Sequence, residues 1–477
     1  MTRNYMVFFT LHQIIKKPKC IISMIGLVFI LSTVAPRNSN AQVFINCSDM
    51  EVVFSDLNDK AEVKHAVIVA DSTGAAHLFW LYQQSNDDSS TWSINYARWE
   101  NGTWSAPTDI LLVPGGGPGE PHALYRSNGY LYVFWIDAGN IWYSNAPVTS
   151  ALDIKTWSSP TPIISSAIDM DISIDEFDRF HLVYATGQPG GPLYYLNSDE
   201  GENWSPSVLV YQDAPQDATS NIPRISVANN QINITWTLYK IPEGWPPLGQ
   251  LYSSSPDDGI TWSSAIMIGE GEQGQGGILA FDDQIHIVWR GTSAAGNTYH
   301  MWSLNGGQTW LGPRIFDPDG GFSGAQSLAV DSGKKVHLVR ADGGYQIWDG
   351  NQWAPVPAQF ADSGEIGTLA IGLGNEVHWI NSTPTDAQGA MIWHRLCLSD
   401  TPKIDSEEIP LLKTKSVAET SISTQVPLQP TTSAIGNSEV NILNQNTGTP
   451  IIIAAITVIG FFAVILIFRM IIKRPFR

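Results

Sequence analysis

The chain has 477 residues, 43% of them hydrophobic and 15% charged, which is ample for a large apolar core. Its 45 acidic residues against 26 basic ones give a formal net charge of −19, which argues against nucleic acid and anionic lipid surfaces as partners. No His-Glu-x-x-His, Cys-x-x-Cys, phosphate-loop or Gly-x-Ser-x-Gly pattern appears, so no metal or cofactor is expected.

At the N-terminus Lys16, Lys17 and Lys19 precede an apolar run from Cys20 to Ala35 that is short for a membrane span. Ser39-Asn-Ala41 then offers a small-x-small cleavage site, which predicts a signal peptide over 1–41, with an uncleaved anchor as the alternative. A strand Glu51-Val-Val-Phe54 follows, and after it a repeat begins. Its most regular line reads His77-Leu-Phe-Trp80, Tyr132-Val-Phe-Trp135, His181-Leu-Val-Tyr184, Asn233-Ile-Thr-Trp236, His286-Ile-Val-Trp289, His337-Leu-Val-Arg340 and His378-Trp-Ile380. Spacings of about 41 to 55 residues suit a four-stranded propeller blade. Before each such strand stands another, for example His65-Ala-Val-Ile-Val69, and after it an aromatic-rich third, for example Leu193-Tyr-Tyr195 or Tyr299-His-Met-Trp302.

A turn then delivers a tryptophan at 104, 157, 204, 262, 310 or 353, and in five of these six cases a proline follows (Pro107, Pro160, Pro206, Pro313, Pro355). Proline cannot donate to a ladder, so it marks the fourth strand as the blade's outer edge. No stretch of the repeat region carries a long apolar 3.6 periodicity, and the fold class is all-β: a propeller over 43–398 with seven blades, six being the alternative. Seven second strands against six turn tryptophans leave the last blade one strand short, and Glu51–Phe54 is free to supply it. Cys47 and Cys397 bracket the domain, which predicts a disulfide closing the ring; two unrelated thiols are the alternative.

Beyond the ring the chain loses its aromatics and fills with Ser, Thr, Pro, Asn and Gln, a disordered stalk over 399–449. Ile451 to Phe468 is uncharged and apolar, within a predicted transmembrane helix over 450–472, and Lys473, Arg474 and Arg477 make a cytoplasmic tail over 473–477. The expected arrangement is a single-pass protein of the cell membrane with the propeller outside. Five sequons, at Asn46, Asn101, Asn203, Asn233 and Asn381, are open to glycosylation in a eukaryote.

One eight-residue phrase recurs. Ser255-Pro-Asp257-Asp-Gly259-Ile-Thr261-Trp262 is its cleanest copy; Ser303-Leu-Asn305-Gly-Gly307-Gln-Thr309-Trp310 and Asn197-Ser-Asp199-Glu-Gly201-Glu-Asn203-Trp204 are variants, and Ser85-Asn-Asp87-Asp-Ser89-Ser-Thr91-Trp92 lacks the glycine. The first resembles the Asp-box, Ser-x-Asp-x-Gly-x-Thr-Trp, of the sialidase-like (neuraminidase, BNR-repeat) β-propellers. The box is scaffold: Asp199, Asp257 and Asn305 accept backbone N–H groups across a turn, while Trp204, Trp262 and Trp310 drop between sheets.

The resemblance implies a site at the channel mouth. Sialidases clamp a substrate carboxylate with three arginines and use a Tyr nucleophile, a Glu beside it and an Asp acid/base. First strands here start with Glu120, His122, Asp169, Asp171, Arg224, Gln326 and Glu365, and second strands end at Asp137, Lys240, Arg290 and Arg340, with Asp342 and Tyr345 beyond. The expected ligand-binding set is Arg224, Arg290, Arg340, Glu120 and Asp171, and the catalytic candidates are Asp171, Tyr345 and Glu365. Guanidinium forks suit a carboxylate sugar; pairing of these arginines with nearby acids is the other reading. The family's Phe/Tyr-Arg-Ile-Pro stretch is missing, its nearest counterpart being Ile222-Pro-Arg224-Ile. The five second-strand histidines stand on different blades, so they belong to packing rather than to one metal. Three function classes stay open: a propeller that binds a glycan or surface protein, a divergent glycoside hydrolase, and an interaction platform.

Overall fold

The computed structural model describes residues 45–85, 91–115, 118–291, 296–317, 326–340, 343–357, 367–382 and 389–405. The expected signal peptide, most of the expected stalk, the expected membrane helix and tail, Asp342 and Glu365 lie outside them. Among the described residues the chain forms seven antiparallel sheets arranged as propeller blades, and its helix is confined to the 3-10 turn Ile154–Thr156.

Blades 1 to 6 run outward from the channel in chain order. Blade 3 is typical, with strands Asp169–Ile174, Phe180–Ala185, Leu193–Ser198 and Val208–Tyr211. The inner strands of the other blades, 1 to 7, are Glu62–Ala70, His122–Arg126, Ala218–Ala228, Gln273–Phe281, Gln326–Val330 and Gly367–Gly372. Successive inner strands pack on one another, and the seventh packs on the first, so the ring is closed. Blade 7 is built from both ends of the ring: Glu51–Asp56 and Ile45–Cys47 both pair with Ala390–Ser399. Cys47 stands directly opposite Cys397 in that ladder and is bridged to it.

Side-chain alternation buries both faces of the second strands, which are the most apolar elements, as in Phe180–Ala185, where all six residues are buried. Between blades the turn tryptophans act as wedges, each reaching back to the preceding blade. Trp157 meets Phe79, Trp204 meets Phe134, Trp262 meets Tyr195, Trp310 meets Tyr252 and Trp353 meets His300, with ring centroids 5.0 to 6.4 Å apart. Trp104 closes the circle from blade 1 to His394 of blade 7, donating its indole N–H to His394 Nδ1 at 3.1 Å.

The box turns sit between third and fourth strands. Asp257 Oδ1 accepts the Thr261 N–H at 2.8 Å, and Ser255 Oγ accepts that of Gly259 at 2.9 Å. Asn305 and Ser303 repeat the pattern with Thr309 and Gly307. Two expectations need correction. In the turn after blade 3's third strand, Ser198 accepts the Gly201 N–H at 2.8 Å, while Asp199 contributes its carbonyl to Arg126. Ser198 stands opposite Phe180 as Ser255 stands opposite Ile232, so it is the box serine of a turn one residue shorter, in which Asp199 no longer occupies the aspartate's place. The fourth copy is not at a box turn: Ser85 and Trp92 flank the connection between second and third strands of blade 1, at the opposite end of the sheet, and Trp92 opens the third strand facing Val113.

The ring's chain continues past residue 398. Ser332 Oγ donates to the Pro402 carbonyl at 2.5 Å, and the Ile404 N–H donates to the Leu373 carbonyl at 2.8 Å. Both partners belong to hairpins joining first and second strands, so the chain leaves the ring on the face away from the channel mouth.

Candidate functional site

Three inner strands carry a β-bulge at the mouth end. The register slips between Lys64 and Val67 in blade 1, Asn221 and Arg224 in blade 4, and Gly274 and Gly277 in blade 5. Each bulge holds a non-glycine residue at positive φ: His65 at 49°, Ile222 at 50° and Gln275 at 55°. For β-branched Ile222 that conformation is costly and persists only because its surroundings impose it. What imposes it is visible. Asp169 Oδ2 accepts the Ile222 N–H at 3.0 Å, and Asp171 Oδ2 accepts the Ile225 N–H at 2.8 Å. Two carboxylates of blade 3 therefore pin the bulge of blade 4 from both sides.

The bulge aims Arg224, as bulges beside functional sites do. Arg224 Nη2 donates to Glu120 Oε2 of blade 2 at 2.8 Å, and Nη1 donates to the Pro223 carbonyl at 2.9 Å. Next to Glu120, His122 Nδ1 lies 3.0 Å from Asp171 Oδ1. Glu120, His122, Asp169, Asp171 and Arg224, from three consecutive blades, thus form one connected cluster, and His65 of blade 1 lies within electrostatic reach of Glu120. The side chains line the channel and remain wetted, Glu120 being 33% and Arg224 14% exposed.

The electrostatics follow from this crowding. Burial alone would raise the Glu120 carboxyl, but Arg224, with His122 and His65 behind it, holds it at about 2. For Asp169 burial wins and the nearby Glu120 charge adds to it, so Arg224 does not prevent a rise to about 6. Burial would lower His122, yet Asp171 and Glu120 raise it above its ordinary value. The result is a carboxyl that changes charge at about 6 within electrostatic reach of an imidazole whose basicity is raised, and shifted groups of this kind gather in functional clefts. Tyr239, at the end of blade 4's second strand, extends the cluster. Burial raises its phenol, which feels both Arg290 and Asp169.

The remaining expected residues divide. Arg290 is 7% exposed and stacks over Trp245 at 5.2 Å. Arg340 stands on blade 6 at the turn closed by its own N–H to the Gly344 carbonyl, its guanidinium lying where a Gly344 side chain would be. The expected three-arginine clamp is therefore corrected: Arg224 belongs to the carboxylate cluster, Arg290 supports an indole, and Arg340 packs on a hairpin. Tyr345 is corrected too. It is 2% exposed inside blade 6, its hydroxyl 2.7 Å from His337 Nδ1 and its ring against Trp379, because it falls on an inward position of the third strand. Asp137 accepts the Gly115 N–H and anchors a loop, and Lys240 is exposed beside Glu243. His65, Tyr239 and Trp245 were not singled out from the sequence; a bulge leaves no composition signal, whereas the run Trp245-Pro246-Pro247 marks a stiff loop.

The second-strand histidines are structural. His77, His181 and His337 each bond a third-strand tyrosine through Nδ1 (Tyr96, Tyr195, Tyr345) at 2.7 to 2.8 Å. Their Nε2 atoms lie 3.0 to 3.3 Å from Asp71, Asp175 and Asp331 in the preceding hairpins. His286 and His378 bond His300 and His394 instead.

No family model matches the chain, and no curated protein matches it. Solved structures do. A protein of unknown function from Dyadobacter fermentans is 12% identical, with a TM-score of 0.47 over 74% of this chain and 99% of that one. An ulvan lyase, a polysaccharide lyase bound to a saccharide of glucuronate and sulfated rhamnose, is 13% identical, with a TM-score of 0.50 over 71% and 95%. A lectin from Burkholderia pseudomallei is 13% identical, with a TM-score of 0.48 over 71% and 96%. At such identities the likeness concerns the fold.

Proposed function

We propose that the protein is a glycan-binding propeller, displayed outside the cell membrane by its C-terminal segment, which takes its ligand at the channel mouth over blades 1 to 4. The observation that carries this reading is the cluster of Glu120, His122, Asp169, Asp171 and Arg224. Three carboxylates accept from sugar hydroxyls while a guanidinium and an imidazole donate to them, so a vicinal diol is met by both kinds of partner. The charge balance favours a polyhydroxyl face over a carboxylate, because Arg224 is already paired with Glu120. That the ulvan lyase shares the fold and was solved with a saccharide bound is consistent with this reading.

The experiment is a glycan array with the ring domain, followed by calorimetry on the hits for Arg224→Met and Asp169→Asn. Binding should fall at least about tenfold in Arg224→Met with the melting temperature nearly kept. Affinity should also change around pH 6 in the parent protein, where Asp169 titrates, and that step should vanish in Asp169→Asn. An array without hits, or hits indifferent to both changes, sinks the reading.

Cleavage is the second reading, and the acidity of Asp169 favours it: a carboxyl at about 6 is a competent proton donor near neutrality. A sialidase-type reaction on terminal acidic sugars is its specific form. With Tyr345 inside the blade, that form needs a nucleophile other than Tyr345, and fluorogenic sialosides test it directly.

A further inference from the structure

The loop joining second and third strands of blade 4 reads Ile241-Pro-Glu-Gly-Trp245-Pro-Pro247 and stands at the mouth end of the ring. Its indole is 42% exposed, which is unusual for the largest apolar side chain in a protein that buries most of its tryptophans. The loop is held in place. The Ile241 N–H donates to the Asp217 carbonyl at 2.7 Å, the Gly244 N–H to the Lys240 carbonyl at 2.7 Å, and the Trp245 N–H to the Glu243 carbonyl at 2.8 Å. Prolines 242, 246 and 247 fix three further backbone angles. From the next blade Arg290, itself 7% exposed, places its guanidinium 5.2 Å from the ring centroid. A buried cation is thus set against one side of a wet aromatic ring, at the cost of its own desolvation.

We propose that Trp245 is a stacking platform for a pyranose ring, a second sugar subsite beside the carboxylate–arginine cluster, with Arg290 as the positioning residue behind it. The proposal rests on the reading of the mouth as a glycan site and deepens it: the ligand is an oligosaccharide that spans blades 2 to 5. An indole offers a flat apolar face to the C–H side of a sugar, and a platform fixed before binding loses little freedom when the sugar arrives. Tyr239 is common to the two subsites, since its phenol is within electrostatic reach of both Arg290 and Asp169.

The test uses ring protein carrying 5-fluorotryptophan, with the Trp245 fluorine signal assigned by its loss in Trp245→Phe and the His122 ring followed by proton NMR. The probes are cellotetraose, mannotetraose and tetragalacturonate, each beside its monosaccharide. A tetrasaccharide should move both signals, while its monosaccharide moves His122 with little effect on Trp245. Trp245→Ala should weaken the tetrasaccharide about tenfold and leave the monosaccharide unchanged, Trp245→Phe should restore part of the loss, and Arg290→Met should reproduce a fraction of it. A tetrasaccharide that moves His122 but not Trp245, or binds Trp245→Ala as well as the parent, overturns the subsite and spares the mouth reading. Silence of both signals with every probe overturns both.

Discussion

At the scale of single residues the box glycine separates two costs that are usually confounded. Gly259 has φ of +83°, and a Cβ there would fall 2.1 Å from the Tyr195 ring of the neighbouring blade. Gly102 has the same φ of +83° in an open hairpin, with nothing within 4 Å of its would-be Cβ. Alanine at Gly102 should cost only the left-handed backbone penalty, about 1–2 kcal/mol. At Gly259 the same penalty is joined by overpacking against Tyr195, for a total of roughly 2–5 kcal/mol. Denaturant unfolding of the two variants gives the comparison, and equal losses would mean that the blade interface yields freely around the turn. The same distinction, between what a residue type permits and what its neighbours demand, explains the corrected site. Arg290 and Arg340 end second strands and Arg224 stands at the start of a first strand, all toward the mouth, but only the bulge at Ile222, pinned by Asp169 and Asp171, delivers one of them to the carboxylates.

Between one residue and the ring lies the hairpin device that recurs in the blades. In blades 1, 3 and 6 an aspartate closes the first hairpin and lies 3.0 to 3.3 Å from a histidine six residues on, and that histidine bonds a tyrosine on the third strand. Blade 4 uses Asn233 with Tyr252, and blades 5 and 7 use histidine pairs. The pairs are the acid-sensitive version. Burial lowers His286 to about 4 and His378 to about 3, and lowers His300 and His394 further with the help of their partners. These imidazoles are neutral in the fold and have an ordinary value near 6.5 when unfolded. Their contribution is therefore complete above about 6.5 and is lost as pH falls below it, on the order of 1–3 kcal/mol for each fully excluded proton. The paired carboxylates Asp71 and Asp331, held at about 2 against burial by His77 and His337, act in a lower window, their share fading only below about 4. His300→Tyr gives blade 5 the pairing of blades 1, 3 and 6. Its melting temperature should fall less than the parent's between pH 6.5 and 4, and an unchanged pH profile would show that the pair does not carry the acid sensitivity. The recurring histidines were legible in the sequence as packing; their tyrosine partners were not read, because the spacing to the tyrosine varies with loop length from blade to blade, and the aspartates, although always six residues ahead, were not read as their partners either.

For the whole molecule, what sequence reasoning recovered was what repeats: seven second strands, an outer strand marked by proline, a blade lacking its fourth strand, and two cysteines at the seam. Much of what it missed departs from the common pattern: the bulge at Ile222 pinned by two carboxylates, the indole at Trp245 and the shortened box turn in which Ser198 is the serine. A repeat averages over blades and so exposes scaffold, whereas a site is made of departures from the average. The seam shows how closure is secured. Turn tryptophans wedge six of the interfaces, from Trp104 between blades 7 and 1 round to Trp353 between blades 5 and 6. Blade 7 takes its outer strand from the N-terminus and has no such turn, so the interface between blades 6 and 7 lacks a wedge. Cys397 and Cys47 belong to that interface's apolar cluster, with Tyr345, Trp379 and Trp393. The bridge therefore stands where the seventh wedge is missing, and it also ties ends 350 residues apart, worth several kcal/mol in the chain-entropy model. Replacing both cysteines by serine should lower the melting temperature and, in hydrogen exchange, strip protection first from Glu51–Asp56, Ala390–Ser399 and Tyr345–Trp348, while blades 2 to 4 keep theirs. If protection falls evenly round the ring, the bridge acts through the unfolded chain alone; if two thiols titrate in the unfolded parent protein, there is no bridge to remove.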